Sequence, residues 1–340
     1  MKQDSLYMDQ LLAQFLPQGS WSVHVGSSGM NNTTRFVETN EGRYVLRIYE
    51  THQDNSKVHY EHSALLTLKD KFLPFYTPEP VRAQSGDTIV RASDGKIAGL
   101  FRFIEGVNPS FHESGQLKSF GLAAGQLTSA LEKVQISQPP VYRPYYEIEN
   151  THPNCSLEDA IRFCANPPDK FTQYSASLMQ IGEQLASFMD SIPMLKQLPH
   201  QLIHGDLNAS NILVDTEGRI SAILDFEFIT EDLRVMELCV CLSDLIRAGE
   251  RESSLWANVE AFLTGYGMSI KLVPGEIAVI PLLILLRRLD VFIHFLGRYF
   301  DGINKIEVVA EQINNIVNQI QWLSINEDKL LALSLHHLSI

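Results

Sequence analysis

Between Leu202 and Phe228 the chain reads LIHGDLNASNILVDTEGRISAILDFEF, and the types and order of its polar residues are those that phosphoryl transfer needs. His204, Asp206 and Asn211 form an H-x-D-x-x-x-x-N run. Asp225 follows a short apolar run, Ile223 and Leu224, after a turn at Thr216 to Gly218. A triphosphate tail approached by a hydroxyl carries several negative oxygens, so a site must supply a divalent cation and hold the incoming oxygen in line. Asn211 offers an amide carbonyl and Asp225 a carboxylate. Both are hard donors suited to Mg2+, which keeps its other positions for phosphates and water. Asp206 is then left to orient the acceptor hydroxyl and take its proton, while His204 braces the loop through backbone hydrogen bonds. Any one of these residues alone is a solvated turn residue or a cap. The reading rests on all four in order, bounded by the apolar strands Ile212 to Val214 and Ala222 to Leu224.

The elements around this stretch must position it. Ser5 to Phe15 has the apolar spacing of a short amphipathic helix, and Trp21, Val23 and Val25 alternate with polar residues as in a strand. Gly26 to Thr34 is a turn of small residues leading to a second strand, Arg35 to Thr39. Such a turn lets backbone N–H groups approach a phosphate, and an ordinary hairpin loop would look the same. A third strand, Arg43 to Tyr49, carries Arg47 inside its apolar run, where a charge needs a partner unless the strand lies at a sheet edge. The helix Ser56 to Lys69 places Glu61 on its apolar stripe with Val58, Leu65 and Leu68, so Glu61 either pairs with Arg47 or reaches for water. A further strand spans Ala98 to Ile104.

The second part opens with a helix bearing Leu117, Phe120, Ala124, Leu127 and Leu131. Gln138 to Phe171, rich in Pro, Tyr and Asn, reads as an aperiodic insertion whose Tyr142, Tyr145 and Tyr146 contact a substrate or cover the core. A helix with Leu178, Ile181, Leu185, Phe188 and Ile192 ends before Pro193. After Phe228 the segment Ile229 to Leu233 leads into a helix, Val235 to Ala248. The remainder is helical over Leu255 to Tyr266, Glu276 to Tyr299 and Ile306 to Ser324. Arg287, Arg288, Asp290 and His294 interrupt a strongly apolar helix, so they face the site or pair with one another.

Composition bounds the function. A chain of 340 residues can form two lobes with proper cores, and 27 basic against 40 acidic residues speak against a nucleic-acid or anionic-membrane partner. Cys155, Cys164, Cys239 and Cys241 form no C-x-x-C pair, so a reduced, cytoplasmic setting without zinc is expected. Met1 to Gly19 lacks the apolar stretch of a signal peptide. The apolar run in Ile277 to Leu296 stops at Arg287, too short to cross a bilayer.

HGDLNASNILVD followed by AILDFEF resembles the signature of the aminoglycoside phosphotransferase and choline kinase superfamily, and Asp225 to Glu227 with LRVMEL after it is closest to the choline/ethanolamine kinase form. The resemblance implies an α+β, bilobal protein-kinase-like fold: a nucleotide-binding lobe over 1–104 and a mostly helical catalytic and acceptor lobe over 105–340. It implies Asp206 as base, Asn211 and Asp225 as Mg2+ ligands, and Glu227 near the metal or its waters. It makes GMNNTTRF, with Gly29 and Asn31, a nucleotide-covering loop. Arg47 then replaces the phosphate-gripping Lys of protein kinases and Glu61 is its partner. The strand end from Phe103 to Glu105 becomes the hinge whose backbone meets adenine. An acid near Glu237 braces the catalytic loop in this superfamily, but that acid is usually Asp. Gly205, standing where protein kinases carry Arg, argues for a small acceptor. The implied cofactors are ATP or GTP with Mg2+. Choline or ethanolamine, homoserine-like amino alcohols, sugars and aminoglycosides are the open acceptor classes. A pseudokinase that binds nucleotide without turnover is the alternative.

Overall fold

The computed structural model describes residues 2–17, 19–26, 32–50, 54–111, 114–246 and 252–340. In chain order it contains α1 (Lys2–Phe15), β1 (Trp21–Val25), β2 (Asn32–Thr39), β3 (Gly42–Tyr49), α2 (Asn55–Lys69), β4 (Ile89–Arg91), β5 (Ile97–Arg102), α3 (Ser114–Leu131), α4 (Leu157–Ala165), α5 (Ser175–Phe188) and α6 (Ile192–Leu195). The strands β6 (His200–Ile203), β7 (Ile212–Val214), β8 (Ile220–Ile223) and β9 (Thr230–Leu233) follow. The chain ends in α7 (Arg234–Leu245), α8 (Glu252–Tyr266), α9 (Pro274–Ala278), α10 (Ile280–Phe300) and α11 (Ile306–Leu338).

These elements form two compact units that are not continuous in sequence. The first comprises 1–109, 133–141 and 211–229, the second 110–132, 142–210 and 230–340. In the first, an antiparallel sheet has the order β1-β2-β3-β5-β4, so β3 lies third of five and Arg47 is paired to Thr34 on one side and Gly99 on the other. Arg47 is therefore not on an edge strand. Alternation then sorts the side chains of β3. Tyr44, Leu46 and Ile48 pack with Leu11, Leu12 and Phe15 of α1, while Tyr49 joins Val58 of α2 with Ile89 and Ile97. Asp54 caps α2 by accepting from the Ser56 N–H at 2.8 Å. The hairpin β7-β8 belongs to the same unit and is held to it by Tyr76 N–H donating to Ser221 O, and by Val214 N–H donating to Val107 O.

The second unit is helical apart from β6 paired with β9. Its tightest packing is between α3 and α8. A Cβ on Gly121 would run into the carbonyl of Phe262, and one on Gly265 into that of Lys118, so the two backbones meet where side chains are absent. α10 is buried along Leu283, Leu286, Leu289, Ile293 and Leu296. No described helix is long and apolar enough to cross a membrane.

Several expectations change here. The stretch 138–171 is not aperiodic: it holds α4, opened by a capping box in which Ser156 and Asp159 satisfy each other's backbone N–H. The helix of Leu178 to Phe188 stops earlier than expected, and Pro193 opens α6 instead of ending the previous helix. Residues 230–233 form a strand, and α11 runs to Leu338 rather than to residue 324.

Candidate active site

The polar residues singled out above gather in two clusters, one in each unit. In the first unit Arg47 is the centre. Its Nη1 lies 3.2 Å from Glu61 Oε1 and 3.3 Å from Asp225 Oδ1, so one guanidinium is shared by an acid from α2 and an acid following β8. Glu61 is buried, and burial pushes its carboxyl up to about 7 against the pull of Arg47. Burial also penalises the Arg47 cation, but Asp225 and Glu61 outweigh that and hold it charged. The guanidinium lies 5.6 Å from the Phe101 ring centre.

Asp225 has φ 63° and ψ 67°, the left-handed conformation, and is one of two non-glycine residues with positive φ among those described. A non-glycine residue there costs on the order of 1 kcal/mol, a strain that collects at functional positions. The chain is fixed on either side of it: Leu224 N–H donates to Asn211 O at 2.7 Å, and the short 3-10 turn Phe226–Phe228 buries Phe226. Glu227 is buried and accepts from Asn32 Nδ2 at 2.8 Å. Asn211, Asp225 and Glu227 thus lie in one unit and carry only oxygen acceptors. That donor set fits Mg2+ and not zinc. Among the described residues no three His, Cys, Asp or Glu side chains converge as a metal site, which a cation completed by phosphate oxygens does not require.

Gly29 and Asn31 lie outside the described residues; their neighbour Asn32 is the one seen to touch Glu227. Phe103 packs edge-on to Phe36 at 5.6 Å under the Arg43 guanidinium, and its N–H donates to Arg43 O at 3.0 Å. Glu105 is exposed and paired with Arg43.

In the second unit Asp206 is the centre. β6 delivers His204, and Gly205 turns the chain with φ 81°, a conformation that favours glycine. Asp206 N–H donates to His204 Nδ1 at 3.2 Å, which makes that nitrogen the acceptor. The fully buried Glu237, on the first turn of α7, accepts from the His204 N–H at 2.5 Å. The brace that this superfamily builds with Asp is therefore built here with Glu.

Asp206 is held by a residue from far along the chain. Arg287 of α10 donates through Nη2 to Asp206 Oδ1 at 2.5 Å and through Nη1 to the Tyr145 hydroxyl at 2.9 Å. That hydroxyl donates to Gly205 O at 2.6 Å. Asp290, one turn on, lies 3.6 Å from Arg287 and accepts from Thr151 at 2.8 Å. Tyr145 N–H also donates to the buried Asp232 at 2.6 Å, and burial pushes that carboxyl up to about 7. Tyr145 was singled out by the sequence only as a substrate contact or a cover of the core, and the pairing of Arg287 with Asp206 was not foreseen. The signal for Arg287 was the run of Arg287, Arg288, Asp290 and His294 inside an apolar helix.

Comparison with known proteins shows the family and the fold. The model of the phosphotransferase enzyme family matches residues 22–268. A homoserine kinase of Parvibaculum lavamentivorans is 25% identical, the match covering 82% of this chain and 80% of that protein. Among solved structures, the microcompartment-associated aminopropanol kinase aligns with a TM-score of 0.69 at 17% identity, covering 96% of this chain and 98% of its own. An amicoumacin kinase in complex with AMP-PNP, Ca2+ and Ami aligns at 0.67 and 16%, covering 94% and 93%.

Proposed function

Because the chain belongs to the phosphotransferase enzyme family, and is a kinase-like α+β protein that phosphorylates a small-molecule hydroxyl, we propose that its acceptor is an amino alcohol of the homoserine kind and its donor ATP, or GTP, with Mg2+. The observation that carries this reading is the set of polar contacts around Asp206, a carboxylate held by Arg287 on a loop braced by Glu237 and Tyr145.

In the reaction Asp206 orients the acceptor hydroxyl and accepts its proton. The acceptor oxygen bonds to the γ-phosphorus while the bond from that phosphorus to the β,γ-bridging oxygen breaks, leaving the nucleoside diphosphate. Arg47 grips the phosphates through a planar fork, and Glu61 keeps that fork in place. Asn211, Asp225 and Glu227 would hold the divalent cation, which supplies charge neutralisation for the polyphosphate. Glu237 and Tyr145 fix the backbone on either side of Gly205, so Asp206 does not need to find its place during the reaction. The roles of Arg47, Glu61, Asp206, Asn211, Asp225 and Glu227 belong to the proposal, as do a nucleotide lobe over 1–104 and an acceptor lobe over 105–340.

Support for an amino alcohol comes from the homoserine kinases among the relatives and from the mixed charges beside Asp206. Arg287 is engaged with Asp206 and Tyr145, and Asp290 beside it sets an acid there for an ammonium. Four buried, unpaired thiols support a cytoplasmic setting. The test is a panel of homoserine, ethanolamine, choline, 1-amino-2-propanol, a hexose and an aminoglycoside, each incubated with ATP and Mg2+. Mass spectrometry is expected to find one added HPO3 on the amino alcohols and none with Asp206→Ala. Turnover confined to the hexose or the aminoglycoside overturns the acceptor class.

A further inference from the structure

We propose that Tyr49 and His62 are positioning residues for nucleotide binding: with Thr88 they form a one-directional chain of buried donors that aims Glu61 at Arg47. The proposal rests on the phosphate-gripping role given to Arg47 above.

The chain starts at Thr88, just before β4, and crosses the first unit to the site. Thr88 Oγ1 lies 2.8 Å from His62 Nδ1, His62 Nε2 lies 3.3 Å from the Tyr49 hydroxyl, and that hydroxyl lies 3.3 Å from Glu61 Oε2. The other carboxylate oxygen, Oε1, meets Arg47. Thr88, His62, Tyr49 and Glu61 are all at least 96% buried, so water is not there to choose their partners.

Counting protons fixes the direction. A phenol has one proton and an imidazole held neutral has one, and burial pushes the His62 ring down to about 3, so it is neutral. Above about pH 7 Glu61 is ionised and only accepts, hence the Tyr49 proton goes to Glu61 Oε2. His62 must then donate from Nε2 to the Tyr49 oxygen, and Thr88 must donate to Nδ1. In the opposite tautomer Tyr49 would give its proton to His62, leaving a phenol oxygen against a carboxylate oxygen in the core. The structure makes room for the ring: Gly99 on β5 faces it, where a Cβ would stand 3.1 Å from Cε1, and Phe101 packs edge-on at 5.1 Å.

A carboxylate buried beside Arg47 with two acids near it could be satisfied in several rotamers. The chain of donors makes one of them correct. Loss of a link is expected to act on the grip of Arg47 on phosphate rather than on proton transfer at Asp206, which lies in the other unit.

The test has two independent arms. In the full-length protein at pH 8, where Glu61 is ionised, nitrogen-15 spectra of the histidine rings are expected to show His62, identified by its loss in His62→Gln, as a neutral ring protonated at Nε2. A ring protonated at Nδ1 overturns the proposal. This arm reads no activity, so it stands or falls apart from the assigned function. In the second arm, Tyr49→Phe and His62→Leu are expected to raise the KM for nucleotide about tenfold, with kcat and the acceptor KM within about threefold of the parent, on the scale of one lost charge-assisted hydrogen bond. His62→Gln, whose amide nitrogen stands near the position of Nε2, is expected to recover most of the loss. Thermal melts confirm folding. Equal losses in kcat and both KM values, or no rescue by Gln, overturn the proposal.

Discussion

The two units each bury an arginine between carboxylates, and they do it by different routes. Arg47 sits on a central strand, and its partners come from α2, one element later, and from Asp225, two residues after β8. Arg287 sits on a helix and holds Asp206, which precedes it by 81 positions, together with a tyrosine from a third segment. Removing one side of such a pair leaves a buried charge uncompensated, at a cost of roughly 3–5 kcal/mol. Neither arginine is therefore a neutral replacement for an apolar residue. The difference lies in what each one holds. Arg47 lies against Asp225, proposed as an oxygen donor for a cation, and Arg287 against Asp206, proposed as the base. The first cluster should govern nucleotide and metal, the second acceptor and chemistry.

The largest effect that separates them is at Asp206. Asp206→Asn is expected to lower kcat about 10³-fold while leaving the nucleotide dissociation constant within a factor of about three, read by steady-state rates and calorimetry. A comparable loss of nucleotide affinity would merge the two clusters into one. Asp225→Ala is expected to lower kcat about 10²-fold and to raise the Mg2+ concentration needed for half-maximal rate, measured by Mg2+ titration. An unchanged Mg2+ requirement would remove Asp225 from the metal. Next come the conservative exchanges. Arg47→Lys is expected to raise the nucleotide KM about tenfold and Arg287→Lys to raise the acceptor KM by a similar factor, because an ammonium cannot hold two partners as a fork does. Finding the two effects swapped would break the division.

The smallest effect concerns stability against pH. Asp232 in the second unit and Glu61 in the first are both pushed up to about 7 by burial, from 3.8 and 4.5. Between those values the folded protein holds a proton that the unfolded chain releases, so stability falls as pH rises from about 4 to about 7. Asp232→Asn, which keeps the shape and removes the titration, is expected to flatten part of that slope, by about 2 °C in Tm for each kcal/mol removed. Glu61→Gln should flatten the other part. Melting curves from pH 4 to 8 read both, and an unchanged slope in Asp232→Asn would mean that the carboxyl is ionised throughout.

The contrast also explains what could be read in advance. Arg47 and Glu61 were legible because each breaks an apolar period of its own element, and two charges facing one core need one another. The loop from His204 to Asn211 was legible because its residues are close in sequence. Arg287 broke a period in the same way and its pairing within the helix, with Asp290, could be read, yet its partner Asp206 could not be found, since nothing local links α10 to the turn after β6. The same physics hid β9: Thr230 to Leu233 is short and acidic, and only pairing with β6 makes it a strand. In α11 the buried stripe continues through Asn326, Leu330, Ser334 and Leu338, and its polar members erased the apolar period beyond residue 324. Helix α4 was missed because prolines and tyrosines surround the Ser156 to Asp159 box that opens it.

The most direct test of the account is a single-turnover assay with γ-labelled ATP, Mg2+ and homoserine, comparing the parent protein with Asp206→Asn at enzyme concentrations above the nucleotide dissociation constant. The account predicts rapid appearance of label on homoserine with the parent, and bound nucleotide but about 10³-fold slower transfer with the variant. Transfer by Asp206→Asn at the rate of the parent would contradict it.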